Sequence, residues 1–407
     1  MLDLWESGKY DAIYGMFNEE MRRAISLDQY RQGSEQVKSM GAIKTTGAPR
    51  AAKKGAYMVV VIPLEAGTMA LDFRVTWDGN GRIAGTFISP GRHSTAEWQP
   101  PAYVDTARFE ARNVTIGDDE WKLPGTLTVL KGNGPFPALV LVHGSGPNDR
   151  DESIEGTKVF KDLALGLSSR GIMVLRYDKR TQVYPQRFPP EANFTMNEET
   201  VDDAVRAAAF LRTQAAIDPR RVFVLGHSQG GYMAPRICKR DPKLAGLIIL
   251  AGNVRPLEDL ILEQSEYLAG LQGDVTPQQR KQLEELKKQV QEIKDFKPGH
   301  KVPSLLPVPA AYLLDLQGYN PATAAQGLTM PMLILQGERD YQVSMRDFAL
   351  WKAALGQRRN VTLRSYANLN HLFIAGEGKS SPAEYVSGHV DATVVEDIAR
   401  WIRSSNQ

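Results

Sequence analysis

The pentapeptide Gly226-His227-Ser228-Gln229-Gly230 stands between the apolar run Val222-Phe223-Val224-Leu225 and a helical pattern that continues through Gly231, Tyr232 and Ala234. A strand that turns at once into a helix places its surroundings in a layered α/β architecture. Such a turn forces its central serine into strained backbone geometry, and glycine on either side removes the Cβ atoms that would clash there. A serine presented in this way is a candidate nucleophile.

The flanking sequence keeps the same rhythm. From about residue 102, antiparallel-type strands at 107–116 and 123–130 precede 138–142, a continuous apolar run of the kind buried on both faces. Helix 159–169, strand 173–177, helix 201–213, strand 222–225, a helix after Gly231 and strand 247–250 then alternate. Strands 332–336 and 361–366 finish the series, each followed by a helical pattern. Repeated βα units with short loops predict a mostly parallel sheet with helices on both faces.

Residues 252–330 interrupt that alternation. Within them Leu283, Leu286, Val290 and Ile293 mark a long helix with a narrow apolar stripe. Pro298, Pro303, Pro307 and Pro309 then break the chain, and a helix resumes at 310–316. The insertion leaves the sheet at the C-terminal end of a strand, where open α/β sheets bind ligands. It is expected to form a helical cap, with Leu305, Leu306, Tyr312 and Leu313 turned toward the pocket.

A chain of 407 residues exceeds one ordinary core. Residues 1–98 read as a separate small α+β domain, and 103–407 as the catalytic domain. Helical periodicity runs through Tyr10, Ile13, Met16 and Phe17 and again over 30–37, followed by strands. The β-branched run 57–62 is expected to end at Pro63, and Met69, Leu71, Phe73, Val75 and Trp77 alternate as one apolar face. Asp78-Gly79-Asn80-Gly81 turns the chain into a partner strand at 83–88. The Pro- and Gly-bearing stretch 89–101, which holds His93, reads as a linker.

Composition narrows the partners. Lys+Arg 49 against Asp+Glu 47 leaves a net charge of +2, with no basic block, so neither nucleic acid nor an anionic membrane is expected. No apolar run reaches the ~18 residues a membrane span needs. The start Met1-Leu2-Asp3-Leu4-Trp5-Glu6 lacks the marks of a signal peptide, which suits a cytoplasmic protein or an exported one whose leader has been removed. The single cysteine, Cys238, permits neither an intrachain disulfide nor a thiolate metal cluster and reads as a small buried hydrophobe.

Taken with its strand-turn-helix setting, the pentapeptide resembles that of the α/β-hydrolase superfamily, over residues 103–405. Within it the chain is similar to esterases that carry an N-terminal NTF2-like (DUF3887-type) domain, on the helix-then-sheet order and the segment Phe73 to Gly85. The resemblance implies the chain order nucleophile, acid, histidine. A serine hydroxyl is a poor nucleophile until a base takes its proton and an acid orients that base. Gln336-Gly337-Glu338-Arg339-Asp340 follows a strand, and Asp340 fits the family's acid position. Glu338, two residues earlier, is expected to point elsewhere, and Asp347 lies inside a helix. Of the six histidines, His371, in Asn368-Leu369-Asn370-His371 after a strand, fits the base. His389 competes by order but stands just before the terminal helix, and His300 lies in the Pro-rich cap.

Acyl transfer also needs preorganised N–H donors for the oxyanion. The resemblance nominates the N–H of Gln229 and, in His143-Gly144-Ser145-Gly146-Pro147, that of Ser145 first and Gly144 second. Asn148-Asp149-Arg150-Asp151 is a surface turn or an ion-pair cluster. Tyr177-Asp178-Lys179-Arg180 matches the family's next segment, but Thr181-Gln182-Val183-Tyr184-Pro185 departs from the glycine-rich stretch that follows it in relatives.

These residues imply a serine hydrolase that cleaves small or medium acyl esters through an acyl-enzyme, with a small-molecule ester as partner and no cofactor or metal. Thioesterase, lactonase, peptidase and acyltransferase share its tetrahedral intermediate and stay open, as does a non-catalytic binding module. Ser228 argues against dehalogenase or epoxide-hydrolase chemistry, which places a carboxylate at the turn. For the N-terminal domain the resemblance leaves three roles: shaping the substrate entrance, homodimerisation through its sheet, or stabilisation.

Overall fold

The computed structural model describes residues 1–38, 43–45, 48–54, 57–66, 69–90, 98–118, 120–271 and 273–405. Two compact units divide the chain, Met1–Glu97 and Trp98–Gln407. His93 and most of the linker lie outside the described residues.

In the first unit, helices Leu2–Glu6, Tyr10–Gly15, Glu19–Ala24 and Leu27–Lys38 pack on an antiparallel sheet. Trp5, Tyr10, Ile13, Phe17 and Tyr30 from the helical side meet Leu71, Phe73 and Val75, the alternate residues of strand Met69–Trp77. The turn expected at 78–81 is closed by Asp78, whose Oδ1 accepts the Asn80 and Arg82 N–H groups at 2.9 Å each. One expectation fails: strand Tyr57–Ala66 continues through Pro63. Pro63 pairs with Asp72 on one side. On the other it falls between the stretches paired to Arg50–Lys54 and Ile43–Thr45, so among the described residues its missing N–H interrupts no ladder there.

The large sheet of the second unit has eight strands: β1 (Phe109–Ile116), β2 (Leu123–Leu130), β3 (Phe136–Val142), β4 (Met173–Tyr177), β5 (Ile217–His227), β6 (Gly246–Leu250), β7 (Met332–Gly337) and β8 (Val361–Tyr366). Their spatial order is β1-β2-β4-β3-β5-β6-β7-β8. β1 with β2 and β2 with β4 are antiparallel; the other neighbours are parallel. Every residue from Ala138 to Val142 and from Leu247 to Leu250 is buried, as sheets covered on both faces require. The covering helices are α1 (Val159–Ser168), α2 (Asp202–Arg212), α3 (Gln229–Arg240), α8 (Met345–Leu355) and α9 (Ala392–Ser404), and they divide the apolar residues into two clusters.

Between β6 and β7 lie α4 (Leu257–Ala269), α5 (Pro277–Lys294), α6 (Ala310–Gln317) and α7 (Pro321–Gln326). α5 is the long helix expected from its stripe, opened by a Thr276–Gln279 capping box and burying Val290 and Ile293. Cys238 is buried in α3, where loss of solvent pushes its thiol pKa up. No helix among the described residues is long and apolar enough to cross a membrane.

Candidate active site

β5 ends at His227 and α3 begins at Gln229, so Ser228 alone makes the turn. Its backbone sits at φ 51 and ψ −118, a conformation that costs a non-glycine residue about 1–3 kcal/mol. Two hydrogen bonds hold it there: Ser228 N–H donates to the Leu250 carbonyl at 2.9 Å, and Tyr232 N–H donates to the Ser228 carbonyl at 3.0 Å. A Cβ on Gly226 would lie 2.1 Å from the Gly230 carbonyl oxygen, and one on Gly230 equally close to that of Val142. Only glycine fits at either position.

The loops after β7 and β8 carry the candidate acid and base, Asp340 and His371. Oδ1 of Asp340 accepts the N–H groups of Gln342 and Val343 at 2.8 and 2.9 Å, and Oδ2 accepts from Gln336 Nε2 at 3.0 Å. The same Oδ2 lies 2.7 Å from Nδ1 of His371, whose side chain is 4% exposed. The ring of His371 stands 4.8 Å, centre to centre, from that of His227, the residue before Ser228. The rival candidates are engaged elsewhere. Glu338 accepts from Ser365, and Asp347 binds Arg255 together with the Val254 and Arg255 N–H groups. His389 is paired at 3.1 Å with Asp162, which also accepts from Trp98. His300 is exposed in the loop after α5. His143 is wholly buried against Phe160 and Tyr177, and burial lowers its pKa to about 4.

The loop after β3 crosses directly over the serine. A Cβ on Gly144 would lie 3.3 Å from the Ser228 Cβ. The Gly144 N–H, expected as a second-choice oxyanion donor, is already spent: it donates to Glu152 Oε1 at 2.7 Å. Asn148 Nδ2 ties the carbonyls of Gly144, Ser145 and Gly146 together at 3.0–3.2 Å. Arg150 holds Asp178 through two side-chain bonds at 2.8 and 3.0 Å, and Asp151 pairs with Lys158 and Arg176, so the Asn148–Asp151 stretch is an ion-pair cluster.

A buried polar network then joins this loop to the insertion. Lys179 Nζ donates to the Gly144 carbonyl at 3.0 Å and lies 2.6 Å from Glu199. The Tyr312 hydroxyl, on α6, donates to Glu199 at 2.6 Å and accepts from Gln229 Nε2 at 2.9 Å. Burial first, and Glu199 next, push the Tyr312 pKa well up, so it stays a donor. Sequence reasoning assigned no role to Lys179 or Glu199, although a lysine just after a strand, next in sequence order to the loop after β3, was a signal open to reading.

Ser228 opens on a cavity of about 300 Å³, bounded by Leu257, Leu260, Ile261 and Gln264 of α4, by Leu306 and by Leu316. Among the described residues no charged side chain lines it. A second cavity of about 390 Å³ shares Ser145, Gln229, Leu257 and Leu306 and is walled by Phe188, Phe194 and Val308. Thr181 and Pro185, from the segment that departs from relatives, belong to this wall. The insertion thus covers the serine, largely through α4, while Leu305 lines neither cavity and Leu313 lines a neighbouring one.

A parallel-centred sheet of this order, with a strained serine between its fifth strand and the next helix, is the α/β-hydrolase fold. Residues 135–378 match the family described as serine aminopeptidase, S33, and residues 1–85 match a protein of unknown function family, DUF3887. The chain is 44% identical over 331 residues to Esterase EstD of Thermotoga maritima, covering 81% of this chain and 75% of that one. Among solved structures it is similar to Est1E from Butyrivibrio proteoclasticus (16% identity, 72% of this chain and 98% of that one, TM-score 0.47) and to an esterase of Pyrococcus furiosus (16%, 76% and 100%, 0.45). The chain belongs to the serine aminopeptidase S33 family of α/β-hydrolases and carries a DUF3887 domain at its N-terminal end.

Proposed function

We propose that the chain is a carboxylesterase that cleaves small to medium acyl esters through an acyl-enzyme on Ser228. The observation that carries this reading is the positive-φ serine at the mouth of an uncharged, leucine-lined cavity, beside the 2.7 Å Asp340–His371 couple. In this reading Asp340 orients His371 through Nδ1, and the other ring nitrogen takes the Ser228 proton as Oγ attacks the ester carbonyl. The N–H groups of Gln229 and Ser145 receive the oxyanion. His371 then returns its proton to the departing alcohol, and water repeats the sequence to free the acid. The insertion excludes water from the cavity and sets acyl length.

The family description names an aminopeptidase, a reaction that must bind a free α-ammonium group. Among the described residues no acidic side chain lines the serine cavity, and Glu199 on the second wall is taken by Lys179 and Tyr312. An uncharged ester suits these walls better than an amino-terminal peptide. The deciding experiment is turnover of p-nitrophenyl esters of rising chain length beside thioester and aminoacyl-p-nitroanilide substrates. The ester reading predicts that the esters are the best substrates; a higher kcat/KM on the anilides would replace it with the peptidase reading.

A further inference from the structure

Glu152 belongs to none of the motifs, yet its side chain is 2% exposed and touches both halves of the site. Oε1 accepts the Gly144 N–H at 2.7 Å. Oε2 lies 3.0 Å from Nδ1 of His227, bent away from hydrogen-bond alignment. Nε2 of His227 in turn lies 3.0 Å from the carbonyl oxygen of His371. One carboxylate therefore reaches the loop that carries Ser145, the residue before Ser228 and, through His227, the backbone of His371. The Glu152 backbone sits at φ 48, a conformation unfavourable for a residue with a Cβ that the surrounding structure must hold in place.

Both ring nitrogens of His227 face acceptors, a carboxylate and a carbonyl. A neutral imidazole donates from one nitrogen only, so the imidazolium is the form that meets both. A buried charge is tolerated when it is paired, and the carboxylate of Glu152 supplies the pair. Burial opposes the His227 charge, but Glu152 and, further off, Asp340 outweigh it, and the pKa of His227 is raised. The other groups facing this pair are His143, held neutral by burial, and the ring of His371, which repels the imidazolium only when itself protonated.

We propose that Glu152 and His227 are positioning residues for this site: Glu152 keeps His227 as an imidazolium, which fixes the oxyanion loop, the elbow and the His371 backbone relative to one another. The role rests on the reading of Ser228, Asp340 and His371 as the triad. A raised histidine pKa means that the proton is held below that pKa and lost as pH rises through it. A general base works only when unprotonated, so catalysis that depends on one rises with pH. Loss of the His227 proton adds a descending alkaline limb.

The test is the pH profile of p-nitrophenyl butyrate turnover for the wild type and for Glu152→Gln, which keeps an acceptor for Gly144 and removes the charge. The expected result is a bell-shaped wild-type profile. In Glu152→Gln, kcat falls about tenfold or more with little change in KM, and the alkaline limb moves down by about one pH unit or more. A variant with the wild-type kcat and limb overturns the role. Ser228→Ala, run alongside, separates the two readings. If it is dead while Glu152→Gln matches wild type, only the positioning role falls; if it turns over, the triad reading falls with it. Should Glu152→Gln not fold, nitrogen NMR of histidine-labelled wild type decides. Both ring nitrogens of His227, identified by their loss in His227→Gln, stay protonated as pH rises past 6.5, the ordinary histidine value, under this proposal, and a ring that is neutral there overturns it.

Discussion

Oδ2 of Asp340 meets Nδ1 of His371 at 2.7 Å although the residues stand 31 positions apart. β7 and β8 are parallel neighbours, with Gly337 opposite Tyr366, so the loops that leave them emerge side by side. Two amides and a carboxamide fix the carboxylate, which leaves it one direction in which to hold the ring.

Asp340→Asn and His371→Ala should each lower kcat by roughly 10³ or more while the fold survives. His389→Ala should leave turnover within about twofold, because its partner is Asp162, and should cost only some stability. Steady-state kinetics of the three variants checks this. A dead His389→Ala beside an active His371→Ala would move the base to His389.

The places of Ser228 and Asp340 were legible because each follows a strand buried on both faces, which announces itself as an apolar run, and that of His371 because it follows Val361–Tyr366, where Val, Leu and Tyr are interleaved with polar residues. α4 was also legible: Leu257, Leu260, Ile261 and Gln264 recur at helical spacing, but the stronger charge pattern of α5 drew the reading past them. Glu152 was not legible. A carboxylate eight residues beyond Gly144 carries no local signal, and only the fold of the loop brings it back beneath that amide. The engagement of the Gly144 N–H is invisible in sequence for the same reason. Pro63 misled because a proline ends a strand only where its N–H would have had a partner.

The insertion should set acyl length through α4 and Leu316. Leu260→Ala combined with Leu316→Ala widens the serine cavity, so the preferred acyl chain should lengthen. Each added methylene that finds apolar contact is worth about 0.8 kcal/mol, roughly fourfold in kcat/KM. Acetate ester turnover should change little, and Leu305→Ala should leave the profile alone. The chain-length series of kcat/KM measures this, and an unmoved optimum in the double variant would contradict it.

Acid should weaken the fold partly through His143. Its pKa drops from 6.5 in the unfolded chain to about 4 when buried. The unfolded state therefore binds the proton first, and stability is lost as pH falls from 6.5 toward 4, by about 3 kcal/mol at most. His143→Leu should lose less stability than wild type over that interval. Denaturant unfolding at pH 7 and pH 4.5 measures the difference; equal losses in the two proteins would contradict it.

The central claim is that Ser228 is the nucleophile, and the position of a fluorophosphonate adduct tests it most directly. After the probe has abolished ester turnover, peptide mass spectrometry should find a single adduct, on the peptide that contains Ser228. Ser228→Ala should take up no probe and retain only the residual rate that binding and the oxyanion donors supply. An adduct on another residue, or near-wild-type turnover by Ser228→Ala, would contradict the account.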